Sequence, residues 1–219
     1  MPKNIDLVIF DCDGVLVDSE VIANRVLSEC FNEVGVMLDV DQTIAFGFGK
    51  SAAVLAAAVE KEFGITLSAT FFTDMGPRTI AALRPMEGML ELLTALKLMR
   101  CVASNSPIDR VRHALTITGL LPYLDPYIYN AAMVARGKPA PDLYLFAAAK
   151  HGVRPEDCLV IEDSLSGVAA AHAAGMPVVG FVGGSHIQLG HAEAMRNAGC
   201  AFVFSRMSEV ASFLDGAPG

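Results

Sequence analysis

Leu7-Val8-Ile9-Phe10-Asp11-Cys12-Asp13-Gly14 places four apolar residues in succession, then two acids around a cysteine, then a glycine. An uninterrupted apolar run of this kind suits a strand buried on both faces of a parallel sheet. Chemistry would then gather at its C-terminal end, where Asp11 and Asp13 stand.

Working outward, Ile22, Val26, Cys30 and Phe31 recur at helical spacing between about 21 and 34, and Gly35 supplies a stop. Further helical stretches fall at about 51–63 and 69–83, and no buried strand is legible between 16 and 84. That stretch reads as an all-helical insert. From Pro85 helix and strand alternate, the signature of βαβ units in a doubly wound sheet. Helices are predicted near 88–98, 107–118, 142–151, 164–174 and 188–197. Between them lie the apolar runs 101–103, 127–129, 159–161 and 178–182, with a last run at 201–204. The chain ends in a small polar tail.

Composition narrows the functions. Of 219 residues 53% are hydrophobic, enough to bury a full α/β core. No apolar run reaches the roughly 20 residues of a membrane helix, and the N-terminal stretch shows neither the apolar region nor the cleavage site of a signal peptide, so a cytoplasmic setting is expected. A net charge of −8 disfavours nucleic acid, whose phosphates demand clustered Lys and Arg. Cys12, Cys30, Cys101, Cys158 and Cys200 lack metal-ligand or paired spacing and read as buried thiols.

Polar groups stand at three strand ends: Asp11 and Asp13, Ser104-Asn105, and Glu162-Asp163, with Lys138 in a loop. Ligands of open parallel sheets bind beyond the carboxyl ends of the strands, so these groups can converge on one crevice. Carboxylates from two strands make a hard, oxygen-rich site of the kind that holds Mg²⁺ together with waters and a substrate phosphate. Lys138 and Ser104 would contact the remaining phosphate oxygens.

The stretch Phe10-Asp11-Cys12-Asp13-Gly14-Val15-Leu16-Val17-Asp18-Ser19-Glu20 resembles the signature of the haloacid dehalogenase-like hydrolases. Val102-Ala103-Ser104-Asn105-Ser106 resembles that family's phosphate-binding strand end, Gly137-Lys138-Pro139-Ala140-Pro141-Asp142 its lysine loop, and Ile161-Glu162-Asp163-Ser164 its acidic metal motif. The four short motifs stand in the right order, and the resemblance covers nearly the whole chain. The resemblance implies a Rossmann-like α/β core of residues 1–15 and 85–219, with residues 16–84 inserted as a helical cap. It also implies a phosphatase: Asp11 attacks phosphorus as a covalent nucleophile, and Asp13 serves as acid to the leaving alcohol and base to water. Mg²⁺ would be held by Asp11, the backbone carbonyl of Asp13 and Asp163, with Glu162 acting through a coordinated water. Ser104, the backbone N–H of Asn105, and Lys138 would bind the phosphoryl group.

Specificity would reside in the cap. Phe46-Gly47-Phe48-Gly49-Lys50 is the candidate loop, in which Lys50 offers a charge to a sugar phosphate or sugar-acid phosphate. The cap loop and serine strand end are similar to those of bacterial phosphatases acting on sugar phosphates and 6-phosphogluconate. A β-phosphoglucomutase-like enzyme is the first rival; such relatives usually carry arginine where this chain has Lys50. The rival of another class is a silent ligand-binding protein. Plainer readings stand beside these. Asp-Gly is a common turn pair, Ser106-Pro107 and Asp163-Ser164 suit helix starts, Lys50 can simply precede a helix at Ser51, and Gly183-Gly184-Ser185 suits a turn. None of the five histidines shows ligand spacing.

Overall fold

The structure is a computed structural model and describes residues 4–47, 50–185 and 187–216. Phe48 and Gly49 of the candidate cap loop, and His186, lie outside the described residues. The chain divides into two compact units, Met1–Asp18 with Arg84–Gly219, and Ser19–Leu83.

Among the described residues the first unit holds a six-stranded sheet: β1 (Leu7–Phe10), β2 (Met99–Ser104), β3 (Ile128–Asn130), β4 (Cys158–Glu162), β5 (Val178–Phe181) and β6 (Phe202–Phe204). Every neighbouring pair is parallel, in the order β3-β2-β1-β4-β5-β6. All four residues of β1 have no exposed surface, which accounts for the unbroken apolar run. From β1 the chain moves outward to β2 and β3, then returns to β1's other side for β4, β5 and β6. The order therefore reverses between β1 and β4, the place where such sheets bind ligands.

The helices, in chain order, are α1 (Glu20–Glu33), α2 (Val40–Gly47), α3 (Ala52–Phe63) and α4 (Phe71–Ala82) in the second unit. Those of the first are α5 (Met89–Ala95), α6 (Ile108–Ile117), α7 (Leu121–Leu124), α8 (Asp142–His151), α9 (Leu165–Ala173), α10 (His191–Asn197) and α11 (Met207–Asp215). The helical unit has its own core of Val26, Phe31, Val36, Leu55, Val59 and Phe71, with Phe31 and Phe71 stacked at 5.5 Å. Ser51 caps α3 by accepting the Val54 N–H, and Gly64 ends it in the left-handed conformation.

The unit boundary falls at Ser19 and Leu83 instead of 16 and 84. The reason is visible in the backbone: the Leu16 carbonyl accepts from Met86 N–H at 2.9 Å, and Val17 bridges to Pro85. Leu16 and Val17 are fully buried, so they belong with the sheet. Three helices are absent from the sequence-based expectation, α2, the four-residue α7 and α11. Helix α2 begins with a reciprocal cap, Asp39 Oδ1 accepting from Gln42 N–H at 2.7 Å and Gln42 Oε1 from Asp39 N–H at 2.9 Å. Helix α11 buries Met207, Val210 and Leu214, a short helical stripe. No single helix among the described residues is long and apolar enough to cross a membrane.

Candidate active site

Strand register assembles the site. Phe10 is level with Val102 of β2 and Ile161 of β4, so Asp11, one residue on, comes level with Glu162. Its N–H donates to the Ile161 carbonyl at 3.0 Å, which fixes the backbone at the start of the acidic loop. Lys138, from the loop before α8, reaches between the two strand ends. Its ammonium donates to Asp11 Oδ1 at 2.6 Å and to Glu162 Oε1 at 2.7 Å, and lies 4.8 Å from the centre of the Tyr144 ring. Asp11, Glu162 and Asp163 are all buried, and each offers a carboxylate oxygen within 4.8 Å of the others.

Three buried carboxylates around one ammonium determine the electrostatics. Burial raises the Asp11 carboxyl well above its ordinary range; Lys138 opposes this, while Glu162 and Asp163 add to it. Burial alone would depress the Lys138 ammonium, but Asp11 and Glu162 outweigh it and hold the group well above its usual value. Burial would likewise raise Glu162, yet Lys138 and the Ser164 donors keep it ionised below the ordinary range. Positive charge is therefore short at Asp11. A donor set made only of carboxylate oxygens, with like charges crowded together, fits a hard divalent cation.

Asp13 points its carboxylate at the start of α6. Ser106 Oγ donates to its Oδ2 at 2.7 Å, and Arg110 Nη2 lies 3.3 Å from its Oδ1. The plainer reading of Ser106 as the cap of α6 does not hold: the helix begins one residue later, with Pro107 at its N-cap and no side-chain cap, and the Ser106 hydroxyl donates to Asp13 instead. Ser104 is buried and its Oγ accepts the Ser106 N–H at 3.1 Å, leaving its own proton to donate elsewhere. In the helical unit, Lys50 donates to the Phe46 carbonyl and its ammonium lies 5.2 Å from the Phe46 ring centre.

The family model of the haloacid dehalogenase-like hydrolases matches residues 5–175. The chain belongs to that family. It is 32% identical over 189 residues to the 6-phosphogluconate phosphatase of Escherichia coli, covering 84% of this chain and 86% of that one. It is 33% identical over 179 residues to hexitol phosphatase A of the same organism, covering 78% and 80%. A crystal structure of a putative beta-phosphoglucomutase from Thermotoga maritima superimposes with a TM-score of 0.85 at 26% identity, covering 98% of this chain and 100% of that one.

Several groups of this hydrolase's site carry no signal in the sequence. Tyr144 looks like a core aromatic of α8, yet its hydroxyl donates to Glu162 Oε1 at 3.2 Å. Glu162 Oε2 accepts from Ser164 N–H at 2.7 Å and Ser164 Oγ at 2.9 Å, so each oxygen of Glu162 already holds two donors. Ser164 also caps α9, so the plainer reading of Asp163-Ser164 holds too. Gly167 is required by space: a Cβ there would lie 1.8 Å from Glu162 Oε1. His191 Nε2 lies 2.6 Å from the Asp163 carbonyl oxygen, a contact its spacing gives no hint of. Ser185 donates through N–H and hydroxyl to Asp18, tying the Gly183-Gly184 loop to the segment after β1.

Proposed function

We propose that this hydrolase is a Mg²⁺-dependent phosphatase of a small phosphorylated metabolite, a sugar phosphate or sugar-acid phosphate, working through a phospho-aspartyl intermediate on Asp11. The observation that carries the reading is the Asp11 carboxylate at the sheet's switch point, held by the buried Lys138 ammonium at 2.6 Å beside Asp163. The named phosphatase relatives support it.

Lys138 fixes Asp11 Oδ1 and so orients the carboxylate toward phosphorus. An Asp11 oxygen bonds to phosphorus as the bond to the ester oxygen breaks, and Asp13 passes its proton to the departing alcohol. Water then attacks the acyl-phosphate, gives a proton to Asp13, and releases inorganic phosphate and the Asp11 carboxylate. Ser104 Oγ and the Asn105 N–H donate to the phosphoryl oxygens. The Asn105 side chain is otherwise engaged, its Oδ1 accepting from Lys138 N–H and its Nδ2 donating to the Lys138 carbonyl. Mg²⁺, held by Asp11, the Asp13 carbonyl and Asp163, with Glu162 acting through a water, would neutralise the charge of phosphate and carboxylates.

In this reading the helical unit serves as a cap and Lys50 contacts the substrate. The five free, buried cysteines suit a reducing compartment such as the cytoplasm. The test is phosphate release from a panel of small phosphate esters, with and without Mg²⁺, beside the Asp11→Asn variant. Metal-dependent release that the variant lacks is the expected result. Release from no ester would overturn hydrolysis, and product formed only with a sugar bisphosphate present would point to a mutase.

A further inference from the structure

Arg110 lies in the first turn of α6, and its guanidinium sits 3.3 Å from Asp13 Oδ1. Its side chain is 53% exposed, whereas that of Lys138 is 3% exposed. The two cations are thus differently committed. Lys138 is enclosed by Asp11 and Glu162, which leaves it to serve the phosphoryl end. Arg110 faces solvent beside the residue that hands its proton to the leaving oxygen.

The alcohol part of any substrate must begin where Asp13 can reach its oxygen. Its first atoms therefore run past Arg110. A half-exposed ion pair contributes little to stability, so the guanidinium can exchange Asp13 for another anion at small cost. Ser106 keeps its 2.7 Å contact on Asp13 Oδ2 and would hold that carboxylate in place when Arg110 turns away. The guanidinium's planar fork of N–H donors matches a carboxylate in a way that a neutral hydroxyl cannot.

We infer that Arg110 is a specificity residue that recognises a carboxylate on the leaving group, so that the substrate class is phosphorylated hydroxy acids in preference to the corresponding phosphorylated alcohols. This rests on the phosphatase reading above and narrows it. A residue that merely orients Asp13 would serve both classes alike; one that binds the substrate's carboxylate separates them.

The experiment uses two pairs of esters that differ in the acid group: 6-phosphogluconate with glucitol 6-phosphate, and 3-phosphoglycerate with glycerol 3-phosphate. In the wild-type enzyme kcat/KM should favour the acid of at least one pair about tenfold, chiefly through KM, the size of one charge-assisted contact. Arg110→Gln also removes the ion-pair partner of Asp13, so kcat/KM should change on both classes, but it should fall about tenfold further on the acid than on the alcohol, erasing the preference, and Arg110→Lys should restore part of it. An acid-to-alcohol ratio unaltered by Arg110→Gln, or equal losses on acid and alcohol, would overturn the inference while leaving the phosphatase intact. Release from no ester by the wild-type enzyme would overturn both, and the panel shows which has failed.

Discussion

The side-chain amide of Asn105 makes both of its bonds to the backbone of Lys138: Oδ1 accepts the Lys138 N–H at 2.9 Å, and Nδ2 donates to the Lys138 carbonyl at 3.0 Å. The strand end of β2 thereby grips the loop whose lysine reaches Asp11. The neighbouring Gly137 makes room, since a Cβ there would come within 2.6 Å of Asn105 Oδ1.

Asn105→Ala should therefore lower kcat roughly 10- to 100-fold, the scale expected when a catalytic group is misplaced by about an ångström. Asn105→Asp should do the same or worse, because it sets an acceptor against the Lys138 carbonyl. Steady-state kinetics check this, with circular dichroism to show that the fold persists. A wild-type kcat in Asn105→Ala would mean that Lys138 needs no such grip.

Gly167→Ala should destabilise the protein by about 3 kcal/mol and lower its activity, since the added methyl displaces Glu162 and breaks a buried charged network. Urea unfolding measures the first effect. A variant as stable as wild type would show that Glu162 can relocate without loss.

The first strand and its two acids are legible in the sequence because a strand buried on both faces cannot hide its apolar run, and because the switch point puts chemistry directly after it. Lys138 is legible only through its motif; a lysine between prolines and a glycine carries no local sign of being buried. From sequence, Asn105 has a role through its backbone N–H, and Tyr144 is singled out for none. Their roles arise from contacts 33 and 18 residues away, which only the sheet order decides. Arg110 and Asp13 lie 97 residues apart for the same reason. Helix α2 escaped notice because its stop, Gly47, reads equally as the beginning of a glycine loop.

His151 predicts an acid-sensitive stability. It ends α8 with Nε2 3.4 Å from the Tyr129 hydroxyl and its ring centre 4.7 Å from that of Tyr127, and burial pushes its pKa below the ordinary value. The unfolded chain then binds the proton more readily than the folded one. Stability is complete above the unfolded value of about 6.5 and declines as pH falls through and below it. The urea midpoint should drop between about pH 7.5 and about pH 5.5, and His151→Gln should lessen that drop. The effect is small because the ring is only partly enclosed. An identical pH dependence in the variant would assign acid sensitivity to other groups.

Under the proposed covalent mechanism Asp11→Asn should remove turnover, by about 10³-fold or more, without weakening the metal-free fold. The carboxylate sits buried with Glu162 and Asp163, and Lys138 offsets the crowding only in part, so its charge is strained when no cation is bound. The amide of Asn removes that charge and its Oδ1 can still accept from Lys138. In a chelator the thermal midpoint of the variant should equal or exceed that of wild type. Adding Mg²⁺ should raise the wild-type midpoint by mass action and leave the variant's almost unmoved, since the proposed metal site loses a ligand. A metal-free variant that melts well below wild type would show that the Asp11–Lys138 pair stabilises more than its crowding costs, and would overturn this account of the site's charge.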